Sequence, residues 1–139
     1  YGIGFDENTM SLSLLRATIR PDVTSDMGHH NFSYMIYPHE NSAVEAGVNK
    51  LAFQFNEQLV KSDVSYDGDT FEPLYLQAMK DSEDGSMTVI RLSEQDGKRG
   101  KIKLSKSVKL LDMLENVIGE AVDTLEYKPF EIITIGIQK

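Results

Sequence analysis

Short segments in which apolar and polar residues alternate constrain the fold of this chain more than any other feature. In TMSLSLLRA, for example, Met10, Leu12 and Leu14 alternate with serines. A period of two places successive side chains on opposite faces of an extended backbone, so the pattern predicts a strand with one buried face. Similar segments recur at HNFSYMIYPH, LYLQAMK, MTVIRLSE, KIKLS and FEIITIGIQK.

Turn-forming residues separate these segments. FDEN follows the first apolar residues, DSEDGS contains Asp84-Gly85, and QDGKRG precedes KIKLS. About seven or eight short strands at intervals of about 8–12 residues are typical of an antiparallel β-sandwich. The sequence therefore predicts an all-β fold of this class, with at most one or two short helices.

For two of the predicted strands, the sequence also predicts which residues are buried. In LYLQAMK, the alternation predicts that Leu74, Leu76 and Ala78 face inward. FEIITIGIQK is apolar on both faces, with Ile133, Ile135 and Ile137 on one of them. A strand that is apolar on both sides is predicted to lie in the centre of a sheet, covered above and below.

Helical signals are few. Ser42 and Glu45 have the spacing of a capping box, which predicts a short helix over SAVEAGVNKLA. The next residues, AFQFNEQLV, alternate weakly and are predicted as a strand, and SDVSYDGDTFEP is predicted to be a long loop. SVKLLDMLEN fits a strand and a helix equally well.

Charge and composition exclude several classes of function. The chain has 22 acidic and 14 basic residues, giving a formal net charge of -8, which argues against binding to nucleic acid or anionic membranes. No apolar run approaches the ~18 residues that span a bilayer. The absence of cysteine excludes thiol nucleophiles and cysteine zinc sites, and it fits a cytoplasmic protein.

The three histidines, His29, His30 and His39, are the first candidates for metal binding. Adjacent residues of a strand point to opposite faces, so His29 and His30 cannot easily share a metal ion. We therefore predict no metal site, with one of the two histidines packed against the sheet and the other in solvent.

Acidic residues cluster in the loop between the first two long strands. Asp22 and Asp26 are four residues apart and Glu40 follows the second strand. Glycoside hydrolysis uses such a pair of carboxylates, but acidic turn residues that hydrogen-bond their own backbone are the favoured interpretation in so acidic a chain. Gly28 offers only a weak anion cradle.

Aromatic residues offer a different binding surface. Phe32, Tyr34 and Tyr37, with Tyr1, could form a platform for a sugar ring. Aromatic residues at a period of two more often belong to a core, and we expect that here. From the residues alone, the chain is an acidic all-β domain that looks cut from something longer.

Several blocks of the sequence resemble α-mannosidases of glycoside hydrolase family 38, of the bacterial and cytosolic type. The first block, MSLSLLRATIRPDVTSDMGHHNFSYMIYPH, is similar to a family segment with Leu-Leu-Arg, Pro-Asp, Asp-x-Gly-x-His-x-Phe-x-Tyr and Pro-His. AVEAGVNKLAFQFNEQLV, LQAMKDSEDGSMTVIRLSE, LLDMLEN and KPFEIITIGI follow in the family's order. The resemblance covers essentially the whole chain.

This resemblance implies that residues 1–139 are a single β-sandwich domain, the C-terminal part of a longer enzyme with a truncated N-terminus. The implied enzyme is a retaining, zinc-dependent α-mannosidase acting on α-mannosides, with its zinc ligands and nucleophile upstream. This domain would then be inactive alone and would support the catalytic domain of the same chain. The alternatives are a mannosylglycerate hydrolase as parent, or a carbohydrate-binding module, which would expose Tyr1, Tyr66 or Tyr75.

The resemblance also suggests a role for the acidic loop. Within a family enzyme, the loop could project toward the rim of the substrate cleft, since loops on a rigid scaffold often carry such contacts. The candidate rim residues are Arg16, Asp22, Asp26 and His30, and a salt bridge between Arg16 and Asp26 would hold the loop.

Overall fold

A computed structural model describes residues 2–57 and 63–139, and these form two compact units, one reaching Pro38 and the other spanning His39–Lys139. The described residues contain seven strands, all paired antiparallel, and one short helix, which confirms the all-β prediction. The elements are β1 Gly2–Asp6, β2 Thr9–Ser13, α1 Val48–Asn56, β3 Tyr75–Asp81, β4 Met87–Ser93, β5 Gly100–Leu111, β6 Val122–Tyr127 and β7 Ile132–Gln138.

The first unit contains the β1–β2 hairpin, in which Asp6 pairs with Thr9 and the turn takes Glu7 into the left-handed region at φ 48°. Every residue of both strands is exposed, so the buried face predicted for TMSLSLLRA is wrong, and β2 ends at Ser13 instead of continuing through that segment. The strand predicted over HNFSYMIYPH is wrong, because residues 31–38 form no strand. A strand is defined by a hydrogen-bonded neighbour, and the described residues offer none to this segment.

The second unit contains α1 and a five-stranded sheet with the order β3-β4-β7-β5-β6. Strand β7 lies between β4 and β5, and Ile135 pairs with Ile90 on one side and with Leu110 on the other. The prediction of a central final strand is confirmed. Strand β5 is long enough to pair with β6 through its first half and with β7 through its last residues.

Both faces of this sheet are covered by apolar side chains. The main core contains Ile90, Leu92 and Ile135, all nearly inaccessible to solvent. Met87 and Leu111 belong to a smaller cluster, and they approach Gly136 so closely that an added Cβ would lie 2.9 Å from the Met87 sulfur. A larger residue in place of the glycine in ITIGI would therefore require the Met87 and Leu111 side chains to shift.

The prediction that three residues at and near β3 face inward is wrong in part. Leu74 is buried as expected, but Leu76 is 46% exposed, Ala78 is exposed, and Tyr75 is buried instead. The pairing of β3 with β4 shifts between Leu76 and Ala78, and β3 is an edge strand of the sheet. A bulge interrupts the strict alternation of faces, so the period of two does not continue through it.

The capping box forms, but not at the start of the helix. The Ser42 hydroxyl donates to the Glu45 carboxylate at 2.8 Å and accepts from the Glu45 backbone N–H at 3.3 Å. These bonds hold a turn, and α1 begins only at Val48, after Gly47 at φ 69°. The helix continues to Asn56, so the strand predicted over AFQFNEQLV is wrong as far as residue 57 and lies outside the described residues beyond it.

The remaining local predictions are confirmed where they can be compared. Gly85 takes a positive φ of 70° in the turn between β3 and β4, and residues 63–70 form a loop, with Ser62 outside the described residues. The ambiguous SVKLLDMLEN is strand as far as Leu111. A turn follows, in which the Asp112 carboxylate accepts from the backbone N–H groups of Leu114 and Asn116.

Candidate functional site

The acidic loop is organised by Asp22. Its carboxylate accepts from the Thr24 backbone N–H at 2.8 Å and from the Thr24 hydroxyl at 2.7 Å. The backbone hydrogen bond, followed by the hydroxyl, lowers the pKa of Asp22 below its ordinary value. This is the Asx turn favoured from the sequence, and an exposed, ionised carboxylate of this kind is not suited to act as a general acid.

The other three candidate rim residues do not form the expected set of contacts. The Asp26 carboxylate accepts from the Thr18 backbone N–H at 3.2 Å. The backbone carbonyl oxygen of Asp26 lies 3.0 Å from His30 Nε2. The salt bridge predicted between Arg16 and Asp26 is wrong, because Arg16 takes part in no ion pair within the described residues. Asp26 and His30 thus organise the loop internally.

The histidines are not placed for metal binding. His29 and His30 are both exposed, so the expectation that one packs against a sheet is wrong. The His30 ring stacks near Phe32 with centroids 6.0 Å apart, and His39 Nδ1 lies 2.7 Å from the Asn41 carbonyl oxygen. The described residues include no group of three or more histidine or acidic side chains able to hold a metal ion.

The aromatic residues of the first unit are not in a core, contrary to the prediction. Phe32 and Tyr37 are each nearly half exposed and Tyr34 is 65% exposed. With apolar side chains of the hairpin they leave a large apolar area in solvent. A cavity of about 310 Å³ in this area is lined by Ile3, Met10, Leu12, Leu14, Tyr34, Met35 and Ile36.

The tyrosines whose exposure would indicate a carbohydrate-binding module are covered where the structure describes them. Tyr66 is half-buried and stacked on Phe71, with its hydroxyl accepting from the Asp69 backbone N–H at 3.0 Å. Tyr75 is buried against Phe53, with ring centroids 5.3 Å apart. Tyr1 lies outside the described residues. The expectation attached to a carbohydrate-binding module is therefore not met by Tyr66 or Tyr75.

A second polar site, which the sequence did not indicate, lies where β4 ends. Glu94 follows this strand and is buried, yet its carboxylate accepts three backbone N–H groups, from Asp96 at 2.8 Å, Gly97 at 2.9 Å and Phe130 at 2.8 Å. Burial acts to raise the pKa of Glu94, but these donors outweigh it, and the pKa is lowered. One carboxylate thus joins two turns, 95–99 and 128–131.

Phe130 stands out in the second of these turns. It has a positive φ of 58°, which is rare for a residue with a bulky side chain, and the residue is 72% exposed. The ring lies over Gly97, where an added Cβ would come within 3.1 Å of it. A cavity of about 390 Å³, lined by residues that include Arg99, Lys128 and Glu131, lies beside this turn. In the sequence, only the preceding Lys-Pro marks the turn.

Comparisons with known proteins converge on one enzyme family. Residues 73–135 match the glycosyl hydrolases family 38 C-terminal beta sandwich domain. Alpha-mannosidase G of Dictyostelium discoideum and alpha-mannosidase of Saccharomyces cerevisiae are each 30% identical over 96% of this chain, which covers 15% and 14% of them. Mouse alpha-mannosidase 2C1 is 48% identical over 43% of this chain and 6% of its own length. No solved structure matches.

Proposed function

The chain belongs to glycosyl hydrolase family 38 through its C-terminal β-sandwich domain, and we propose from this that it is a non-catalytic part of a retaining α-mannosidase. In this role it packs on the catalytic part of the same polypeptide and supports its geometry. The match over residues 73–135 is the observation that carries the proposal. The substrate class, α-mannosides, is proposed from the names of the relatives.

The length of the relatives supports a supporting role. The chain spans between 6% and 15% of the lengths of the curated relatives it matches. In addition, the acidic loop holds its carboxylates in turn hydrogen bonds. As a separate finding, the described residues include no helix long and apolar enough to cross a membrane. We propose that the catalytic carboxylates belong to the larger part of the parent enzyme.

The exposed apolar area of the first unit supports packing against that larger part. Hairpin side chains and Tyr34 and Ile36 leave apolar surface in solvent on a ribbon whose residues are all exposed. Apolar patches of this kind commonly mark protein interfaces. The proposed occupant is the upstream part of the parent polypeptide, because relatives similar over 96% of this chain are about seven times longer.

The resemblance implies zinc in the parent enzyme, and the residues described here do not fit a zinc site. No suitable group of ligands occurs among them, and His30 and His39 each have a ring nitrogen beside a carbonyl oxygen. We propose that the zinc ligands lie in the catalytic part. A cytoplasmic location belongs to the same proposal, on the strength of a sequence without cysteine.

An α-mannosidase assay on the 139-residue chain and on the full-length parent, each with added zinc, tests this proposal. We expect activity in the parent alone. Activity of the 139-residue chain by itself would contradict the supporting role and turn attention to Asp22 and Asp26. A parent that hydrolyses mannosylglycerate but not other α-mannosides would replace the proposed substrate with the alternative one.

A further inference from the structure

The β1–β2 hairpin has one face that consists of large apolar side chains. Its register pairs Ile3 with Leu12 and Phe5 with Met10, and residues opposite each other on antiparallel strands project from the same face. All four are exposed, by 45% to 77%. The opposite face carries glycine and polar residues, in the pairs Gly2–Ser13, Gly4–Ser11 and Asp6–Thr9. A ribbon that is apolar on one side and polar on the other has the pattern of an outer sheet whose inner face is packed on a second layer.

Residues 31–36 extend this apolar surface but have no partner strand among the described residues. Three of them line the cavity of about 310 Å³ together with hairpin side chains, namely Tyr34, Met35 and Ile36. Their sequence alternates, yet no backbone hydrogen bond joins residues 31–36 to any other residue that the structure describes. Unpaired N–H and C=O groups in such a segment are the groups with which a neighbouring strand pairs. The segment therefore has the side chains and the backbone of a strand and lacks only a neighbour.

The chemistry of this surface favours a permanent partner. A two-stranded hairpin is marginally stable by itself in water, so the first unit needs a further layer. Among the described residues, no charged side chain lines the cavity, although the chain as a whole has a net charge of -8. Interfaces that stay closed are more apolar than those of partners that bind and leave. A segment of the same polypeptide is therefore favoured over a transient partner.

The preceding part of the parent polypeptide is the partner that fits. The family match covers residues 73–135 and leaves the first unit outside the C-terminal beta sandwich domain. The two relatives that are similar over 96% of this chain must include most of that unit, and they are about seven times longer. A preceding chain of that length is sufficient for further sheets, and the covalent connection keeps their effective concentration high.

We propose that residues 2–38 are the last strands of a β-sandwich formed by the preceding part of the parent polypeptide. Residues 31–36 become a strand by pairing with that sandwich, and the apolar face of the hairpin packs against its facing sheet. The identity of the parent as an α-mannosidase rests on the proposed function, whereas the pairing rests on the hairpin face and on the unpaired segment. The 139 residues are then divided between two domains near Pro38, instead of forming the single domain that the resemblance implies.

Hydrogen–deuterium exchange of the full-length parent and of the 139-residue chain, followed by mass spectrometry, tests the proposal. Amide hydrogens that pair with a neighbouring strand exchange slowly, whereas those exposed to solvent exchange rapidly. We expect peptides that cover residues 31–36 to exchange at least about tenfold more slowly in the parent than in the dilute 139-residue chain. Peptides that cover β7 are the reference, since this central strand should be protected equally in both proteins.

Two neighbouring substitutions in β2 separate the faces of the hairpin. Met10 belongs to the apolar face and Ser11 to the polar face. Met10→Asp should remove the protection of residues 31–36 in the parent, because it places a carboxylate without a partner on the packed face. Ser11→Asp adds the same charge on the solvent side, so it should change this exchange by no more than about twofold. The comparison of the two wild-type proteins decides the proposal even if Met10→Asp does not yield a folded parent.

Three results would overturn the proposal. Equally fast exchange of residues 31–36 in the parent and in the 139-residue chain would show that no strand is added. Equally slow exchange in both would show that the partner lies within the 139 residues. Protection that rises with the concentration of the 139-residue chain, without any gain in the parent, would assign the surface to a second copy of this chain. Equal effects of Met10→Asp and Ser11→Asp would contradict the packing of the apolar face.

The same experiment separates this inference from the proposed function. If the parent hydrolyses α-mannosides and residues 31–36 exchange rapidly in it, this inference fails alone. If these residues are protected in the parent and the parent does not hydrolyse α-mannosides, the proposed function fails alone.

Discussion

Glu94 and Phe130, 36 residues apart in sequence, are joined by a hydrogen bond of 2.8 Å from the Phe130 backbone N–H to a buried carboxylate oxygen. The same oxygen accepts from Gly97, and the Glu94 backbone N–H donates to the Glu131 carbonyl at 2.9 Å. The connection from β6 to β7 is therefore fixed to the end of β4. A charged acceptor with three backbone donors is among the stronger contacts available to a domain of this size.

Replacement of Glu94 by glutamine should lower the free energy of unfolding by about 1–3 kcal/mol, because the amide NH₂ group faces backbone donors in a buried site. Urea unfolding followed by circular dichroism measures the change. Glu126→Gln is the matched control, since Glu126 is exposed and its ion pair among the described residues is with Lys101, and it should change stability much less than the substitution at Glu94. Equal effects of the two substitutions would contradict the structural role given to Glu94.

The lowered pKa of Glu94 predicts a dependence of stability on pH. The folded state favours the ionised form, so the contribution of Glu94 is present above its ordinary pKa of 4.5 and is lost as pH falls through the lower folded value. The difference in unfolding free energy between wild type and Glu94→Gln should thus shrink below about pH 4.5. The difference is the informative quantity, because Asp84, with a pKa of about 2, also contributes to the acid dependence of both proteins.

Leu92 tests the main core. Its side chain has no exposed surface, so Leu92→Ala should lower the unfolding free energy by about 2–5 kcal/mol through lost burial and the cavity left behind. The same change at Leu114, which is 83% exposed, should cost about 0.5 kcal/mol or less. Thermal or urea unfolding of both variants makes the comparison. A small effect at Leu92 would mean that this sheet is not the folding core.

The division into two units predicts the result of truncation. A chain of residues 39–139 retains the five-stranded sheet and both apolar clusters, so it should keep a cooperative unfolding transition. Its midpoint in urea should lie close to that of the 139-residue chain. Loss of the transition on removal of residues 1–38 would show that the first unit contributes to the core of the second.

Periodicity predicted most strands of the second unit because each of these strands has a hydrogen-bonded neighbour in the sheet. FEIITIGIQK is apolar on both faces and does lie between two neighbours, β4 and β5. The alternating pattern in HNFSYMIYPH failed to predict a strand, since alternation indicates what a strand could bury and not whether a partner strand is present. AFQFNEQLV failed for a different reason: Asn49 in α1 donates to the Gln95 carbonyl at 2.8 Å, a tertiary contact that local alternation does not reveal.

The candidate site was predicted less well than the fold. Asp22 was correctly interpreted as a turn residue, because an Asx turn is a local feature that the sequence displays. Glu94 was missed, since its three backbone donors come from two turns that only the folded sheet brings together. FEIITIGIQK, which begins at Phe130, was predicted as a strand, whereas β7 begins only at Ile132, and nothing near Phe130 other than Pro129 indicated a positive φ.

The uncovered hairpin has a practical consequence for anyone who purifies this chain by itself. Its free strand edges and apolar side chains are the features by which β-rich proteins aggregate. The 139-residue chain should become less soluble as its concentration rises, whereas residues 39–139 should stay monomeric. Poor yield of the longer chain would then be caused by the exposed apolar surface of the hairpin and not by a defect in the sheet.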